Sequence, residues 1–183
     1  PLAAHVVPND ANGVTGTEGT NTYANDKFDG GDGTDFLLAG GNIDFQGTLV
    51  SIEGIYLSPA YTNKLANNAS QLPTVLTMSG ATMATLPSNL ILDGTGSIVV
   101  NLAVGETFNG AGYTFDPGSN VTFTVNGSTA GDTITGTSGD DTLNGAAGDD
   151  TIHSGGGKDA IDGGAGNDTI VLDGLVAAGS KYD

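Results

Sequence analysis

The chain has 183 residues and a formal net charge of −17, from 21 acidic residues against 4 lysines and no arginine. That balance disfavours nucleic acid and anionic membrane surfaces as partners and points to cations. The absence of cysteine excludes disulfide stapling, 37% apolar with only 6% aromatic residues limits the core, and no run approaches the roughly 18 apolar residues of a membrane span.

Residues 1–15 carry no periodic signal and no basic leader with an apolar stretch, so they read as a tail or lead-in. The chain is therefore expected to begin within a longer protein or to be exported by a signal elsewhere. Residues 16–42 form a short repeat element: GTEGTNTYA (16–24), a truncated NDKFD (25–29) and GGDGTDFLL (30–38). In a nine-residue register, Asn21, Asp26 and Asp35 take position six and Tyr23, Phe28 and Leu37 position eight. Asp29, Asp32 and Asp35 do not make an EF-hand loop, because Gly40 stands where its closing Glu is needed.

Residues 43–126 are nearly free of charge and rich in Thr, Ser, Asn, Leu and Val, and they are expected to continue or cap a β structure. Thr74–Met78, Leu90–Leu92, Ser97–Val104 and Val121–Val125 read as strands, separated by turn signals at Asp93-Gly94, Asn109-Gly110 and Asp116-Pro117-Gly118. Ser58-Pro59 supplies an N-cap and a first-turn proline for a short helix over 59–71. Tyr56, Tyr61, Tyr113, Phe115 and Phe123 suggest a second reading, an adhesin-like surface for a polysaccharide or cell-surface partner.

From Gly127 the period is strict: GSTAGDTIT (127–135), GTSGDDTLN (136–144), GAAGDDTIH (145–153), SGGGKDAID (154–162) and GGAGNDTIV (163–171). Position six is Asp in each unit, and position eight is aliphatic: Ile134, Leu143, Ile152, Ile161 and Ile170. The triplet around position eight predicts a short strand with its middle side chain inward, and the glycine-rich half predicts a turn. Each unit is then half a coil, so turns two units apart stack on one edge. The facing pairs are Asp132 with Asp150, Asp141 with Asp159, and Asp150 with Asp168. A disordered Gly/Asp linker shows no such register. The block spans 127–173, followed by a tail at 174–183.

Such turns suit calcium, a hard cation that takes six to eight oxygens from carboxylates and backbone carbonyls. Glycine lets carbonyls converge, and the position-six Asp supplies charge. Stacked carboxylates repel one another without a cation, and one aliphatic side chain per nine residues does not offset backbone ordering. Metal binding and folding of the block are expected to be one event.

The units GAAGDDTIH, SGGGKDAID and GGAGNDTIV resemble the RTX (repeats-in-toxin) haemolysin-type calcium-binding nonapeptide G-G-x-G-x-D-x-U-x. The resemblance implies an all-β, right-handed parallel β-roll with calcium in its turns. It places metal ligands at positions one, three, four and six: Asp132; Gly136, Ser138, Gly139 and Asp141; Gly145, Ala147, Gly148 and Asp150; Ser154, Gly156, Gly157 and Asp159; Gly163, Ala165, Gly166 and Asp168. In the N-terminal element the corresponding residues are Asp26, Gly30, Asp32, Gly33 and Asp35. Asp140 and Asp149, at position five, are expected to add outer negative potential only. The resemblance further implies a calcium-dependent folding module of a larger bacterial protein, exported by a type I system and working outside the cell.

Catalysis is not expected. Two His and no Cys leave nucleophile–base pairs and zinc sites without their parts, and the paired acids are absorbed by the repeat register. His153 at position nine reads as a solvated side chain. Gly155-Gly156-Gly157-Lys158 is no phosphate loop, since Asp159 follows the lysine.

Overall fold

The computed structural model of the chain describes residues 21–40, 42–57, 74–173 and 181–182. Among these residues every strand ladder is parallel, and the chain winds as a β-solenoid. The longest ladder runs through β1 (Asn21–Asp29), β3 (Asn42–Val50), β5 (Val75–Ser79), β6 (Ile91–Asn101), β9 (Asn120–Asn126), β11 (Asp141–Asn144), β13 (Ala160–Asp162) and β15 (Lys181–Tyr182). Two shorter ladders complete the coils. One joins β2 (Phe36–Ala39), β4 (Gly54–Leu57), the start of β6, and β8 (Thr114–Phe115). The other joins β7 (Thr107–Asn109), β10 (Thr133–Thr135), β12 (Thr151–His153) and β14 (Thr169–Val171).

The repeat strands are short because only one large side chain in nine residues needs to be enclosed. Alternation along each strand turns the position-eight residue inward. Ile134, Leu143 and Ile152 are fully enclosed, Ile161 nearly so, and Ile170 is partly buried at the end of the column. The pairings Ile134↔Ile152↔Ile170 and Leu143↔Ile161 stack like on like. The same column passes into the middle region through Phe108↔Ile134, Val125↔Leu143 and Val100↔Val125.

Phe108, Tyr113 and Phe123 pack as a ring cluster inside this core, with Phe108 and Phe123 centroids 5.6 Å apart. Burial pushes the Tyr113 hydroxyl up to about 12. Phe115 is half-buried against the same core, Tyr56 is half-buried, and Tyr61 lies outside the described residues. The aromatic residues expected to form a sugar-binding face are therefore mostly core. Large rings fill the wider middle coils where single aliphatics suffice in the repeats.

Two further expectations change, and a third falls where nothing is described. Of the strands expected at Leu90–Leu92 and Ser97–Val104, residues 91–92 and 97–101 belong to one strand, β6, which runs through Asp93-Gly94 and ends at Asn101. Gly94 adopts φ +90°, and a Cβ there would run into the Leu57 carbonyl. The glycine turns the strand at a corner, so that its first part pairs with β4 and its second with β5 and β9. The helix expected over 59–71 lies outside the described residues. The helical turn that is described is α1 (Gly80–Met83), capped by Ser79, whose Oγ accepts from the Thr82 amide at 3.1 Å. Finally, residues 21–29 form one unbroken strand, with a register shift between Ala24 and Lys27. The truncated unit 25–29 is too short to make both turn and strand, so the chain stays extended and takes up the irregularity as a bulge. Residues 1–20 and 174–180, including most of both expected tails, lie outside the described residues.

Candidate metal centre

The turns stack as the period requires. The amide of Asp132 donates to Asp150 Oδ1 at 2.7 Å, Asp141 to Asp159 Oδ1 at 3.1 Å, and Asp150 to Asp168 Oδ1 at 2.9 Å, each across eighteen residues. The three facing pairs read from the spacing thus meet, each through a backbone donor and a carboxylate. In return, the Asp132 and Asp150 carbonyls accept from the amides of Thr151 (2.9 Å) and Thr169 (2.8 Å).

In the glycine-led turns the position-six carboxylate folds back over the first residue of its own turn. A Cβ at Gly136 would lie 2.9 Å from Asp141 Oδ2, and one at Gly163 would lie 2.6 Å from Asp168 Oδ2. Gly145 meets Asp150 in the same way, and Ser154 takes the first position in the remaining unit, its Oγ accepting from the Asp173 amide at 3.0 Å. At position four, Gly148, Gly157 and Gly166 are left-handed, with φ +122°, +98° and +145°. Between turns, the Ala147 amide reaches the Ser128 carbonyl (3.3 Å), the Gly148 amide the Ala165 carbonyl (2.8 Å), and the Gly156 amide the Thr137 carbonyl (2.8 Å). Ser138 and Gly139 lie on the turn of the second unit, Ser138 exposed and Gly139 against the Phe115 ring.

The carboxylates are unusually enclosed. Asp132, Asp141, Asp150 and Asp159 are at most 4% exposed. The ion pairs found among the described residues, Lys27–Asp29 at 3.1 Å and His153–Asp173 at 2.8 Å, lie elsewhere. Burial is the main cause that pushes Asp141 up to about 7 and Asp159 to about 6, and it also raises Asp150. Two buried carboxylate oxygens, Asp150 Oδ2 and Asp35 Oδ2, have no hydrogen-bond partner. A buried acceptor of that kind costs free energy unless something meets it. The donors here are all oxygen, which suits a hard cation and not zinc or copper. No three His, Cys, Asp or Glu side chains converge among the described residues, so any such ion would take the rest of its shell from backbone carbonyls.

In the N-terminal element, Gly30–Asp35 is a turn of the same kind, with Gly31 and Gly33 left-handed at φ +80° and +135° and Asp32 exposed. Asp26 is not on a turn: it falls within β1, at the register shift. A residue missed in the sequence completes the arrangement. Glu53, eighteen residues after Asp35, accepts the Asp35 amide at 2.8 Å. The spacing alone would have found it, had Glu been admitted at position six.

Asp140 and Asp149 are exposed, and each clasps the next coil: Asp140 Oδ1 accepts from the Lys158 amide (2.8 Å) and Asp149 Oδ1 from the Asn167 amide (2.9 Å). His153 is not simply solvated, since its Nδ1 pairs with Asp173.

Compared with known protein families, residues 15–46, 126–161 and 135–170 match the RTX calcium-binding nonapeptide repeat (4 copies). These are RTX repeats. The matched segments contain the turn at Gly30–Asp35 and all the stacked turns from 127 to 168, and the parallel β-solenoid is the fold expected of an RTX β-roll. RTX repeats are a calcium-binding family, typical of secreted bacterial proteins. No curated protein and no solved structure matches the chain. No helix among the described residues is long and apolar enough to cross a membrane.

Proposed function

We propose that this chain is a calcium-dependent structural module of a larger exported protein, folding fully only where calcium is abundant, and that it is not itself an enzyme. The observation that carries the reading is Asp150 Oδ2: a carboxylate oxygen buried in a column of stacked carboxylates, without a hydrogen-bond partner. When bound, calcium supplies a double positive charge and six to eight coordination positions for oxygen. The carboxylates of Asp35, Asp150, Asp159 and Asp168 would hold it, together with carbonyls at positions one, three and four of their turns: Gly30, Asp32 and Gly33; Gly145, Ala147 and Gly148; Ser154, Gly156 and Gly157; Gly163, Ala165 and Gly166.

The chain's own part is to bring those oxygens together and keep water from them. Left-handed glycines let backbone approach backbone between coils, and the Asp-to-Asp amide contacts set the height of each carboxylate. Because the site consists of two stacked turns, it exists only when the coils are stacked, and binding is coupled to folding. Extracellular calcium modules bind in the range of about 10⁻⁴–10⁻³ M. Such a module stays unloaded in cytosol and loads outside the cell, which supports an extracellular place of action.

The test is far-UV circular dichroism of the metal-free protein during titration with calcium, with magnesium as control. The expected result is a cooperative gain of β signal at roughly 0.1–1 mM calcium, absent with magnesium. A spectrum unchanged by calcium would overturn the reading.

A further inference from the structure

The repeat turns fall into two conformations, and the residue at position two separates them. In turns 30–35, 145–150, 154–159 and 163–168 that residue is Gly31, Ala146, Gly155 or Gly164, left-handed at φ +80°, +72°, +75° and +91°. The position-four glycine of each of these turns is left-handed as well. In three of the four, the position-two amide points backward to the preceding Asp or Asn: Gly31 to Asp29 Oδ1 (3.2 Å), Ala146 to Asn144 Oδ1 (2.9 Å) and Gly164 to Asp162 Oδ1 (3.0 Å).

In turns 127–132 and 136–141 the position-two residue is Ser128 or Thr137, and neither it nor the position-four residue is left-handed. Here the amide points forward, onto the turn's own carboxylate. Ser128 donates from its amide to Asp132 Oδ2 at 2.6 Å and from Oγ to Oδ1 at 3.2 Å. Thr137 donates from its amide to Asp141 Oδ2 at 2.7 Å and from Oγ1 to both carboxylate oxygens at 3.0 Å. The same hydroxyls accept from the amides of Ala130 (3.2 Å) and Gly139 (3.0 Å), which closes each loop.

Both partnerless buried carboxylate oxygens, Asp35 Oδ2 and Asp150 Oδ2, lie in turns of the left-handed kind. The hydroxyl-closed turns are also the two that adjoin the middle coils, which are nearly free of charge. Their following strands β10 and β11 pair with β7 and β9 there, and Gly139 abuts the Phe115 ring.

Resting on the calcium reading above, we infer that Ser128 and Thr137 do for Asp132 and Asp141 what a cation does for the carboxylates of the other turns. The first two units of the C-terminal block are closed by hydroxyls and independent of metal, and calcium in this block is confined to turns 145–150, 154–159 and 163–168. The ligand positions expected at Asp132, Gly136, Ser138, Gly139 and Asp141 then carry no ion of their own. Units 127–144 form a standing platform on the middle coils, onto which the calcium-dependent units fold.

The experiment is amide hydrogen exchange, resolved by residue, on the full chain in calcium and in chelator. The amides of Ser128, Thr137 and Gly139 are expected to keep their protection without calcium, while those of Gly148, Asp150 and Gly156 lose about tenfold or more. In a second arm, calorimetric titration of Ser128→Gly with Thr137→Gly is expected to give a higher calcium stoichiometry than the parent. Equal loss in all five units on chelation, or an unchanged stoichiometry, overturns the inference while leaving calcium binding intact. No response to calcium at any amide removes the calcium reading, and this inference with it.

Discussion

The amide of Asp35 donates to Glu53 Oε2 at 2.8 Å, and the Glu53 amide returns to the Asp35 carbonyl at 2.9 Å, so that Glu53 stands to Asp35 as Asp150 stands to Asp132. The turn at 30–35 is thereby tied to a coil that carries no repeat of its own. Glu53→Met keeps most of the bulk but leaves the Asp35 amide without its acceptor, and is expected to destabilise the chain by about 1–3 kcal/mol. Glu53→Gln keeps an acceptor oxygen and is expected to retain most of that stability. Melting temperatures of the two variants in chelator distinguish an acceptor role from a packing role, because a side chain needed only for packing would tolerate both changes alike.

Asp150→Asn should separate fold from metal. The amide side chain keeps an oxygen for the Asp132 amide and removes a buried charge, so the metal-free protein is expected to be at least as stable as the parent. Its calcium midpoint is expected to rise about tenfold or more, the equivalent of about 1.4 kcal/mol. A calcium titration followed by circular dichroism reads both effects, and an unchanged midpoint would remove Asp150 from the ligand set.

Ala146 is one of only two non-glycine residues with positive φ among the described residues, at +72° where the other left-handed turns hold glycine. Relieving a left-handed Cβ is worth about 1–2 kcal/mol, reduced by the extra freedom that glycine adds to the unfolded chain. Ala146→Gly is expected to raise the melting temperature in calcium by about 2–4 °C per kcal/mol gained. Gly166→Ala should act in the opposite sense, because its Cβ would meet the Gly148 carbonyl.

The pH response of the metal-free protein follows from Asp141 and Asp159, held at about 7 and about 6 by burial against an ordinary value of 3.8. A carboxyl raised on folding binds its proton more tightly in the folded than in the unfolded chain. Stability without metal therefore falls as pH rises from about 4 to about 7. In saturating calcium the Asp159 part of the trend is expected to reverse, because that carboxylate must be ionised to hold the cation, while Asp141, closed by Thr137, keeps its part. Melting temperatures at about pH 4.5 and about pH 7 in chelator and in calcium give the comparison. A metal-free melting temperature that rises across this window would show that these groups ionise freely in the fold.

Contacts that recur at one spacing are legible in the residues alone. An Asp every nine residues and an aliphatic two places later specify a half-coil, and two half-coils bring Asp132 to Asp150 and Ile134 to Ile152. In the middle region the coils differ in length, and local patterning loses its hold there. Asp93-Gly94 carries the chemistry of a turn, yet the corner it makes leaves the strand unbroken, because both halves of β6 find partners in neighbouring coils. Tyr113 and Phe123 read equally well as a binding face or as core, and only the width of the coils settles them as core.

The sequence by itself determined the parallel coil, its period, its oxygen-rich turns and the column of aliphatics within it, since each depends on neighbours at a constant separation. Only the tertiary structure decided that Glu53 completes the N-terminal turn, that Asp26 sits in a strand, and that otherwise similar repeat turns adopt two conformations. Those outcomes turn on which amide a carboxylate meets once coils are stacked. A Ser or Thr hydroxyl within reach of the carboxylate draws the amide forward, and a small residue free to go left-handed lets it turn back.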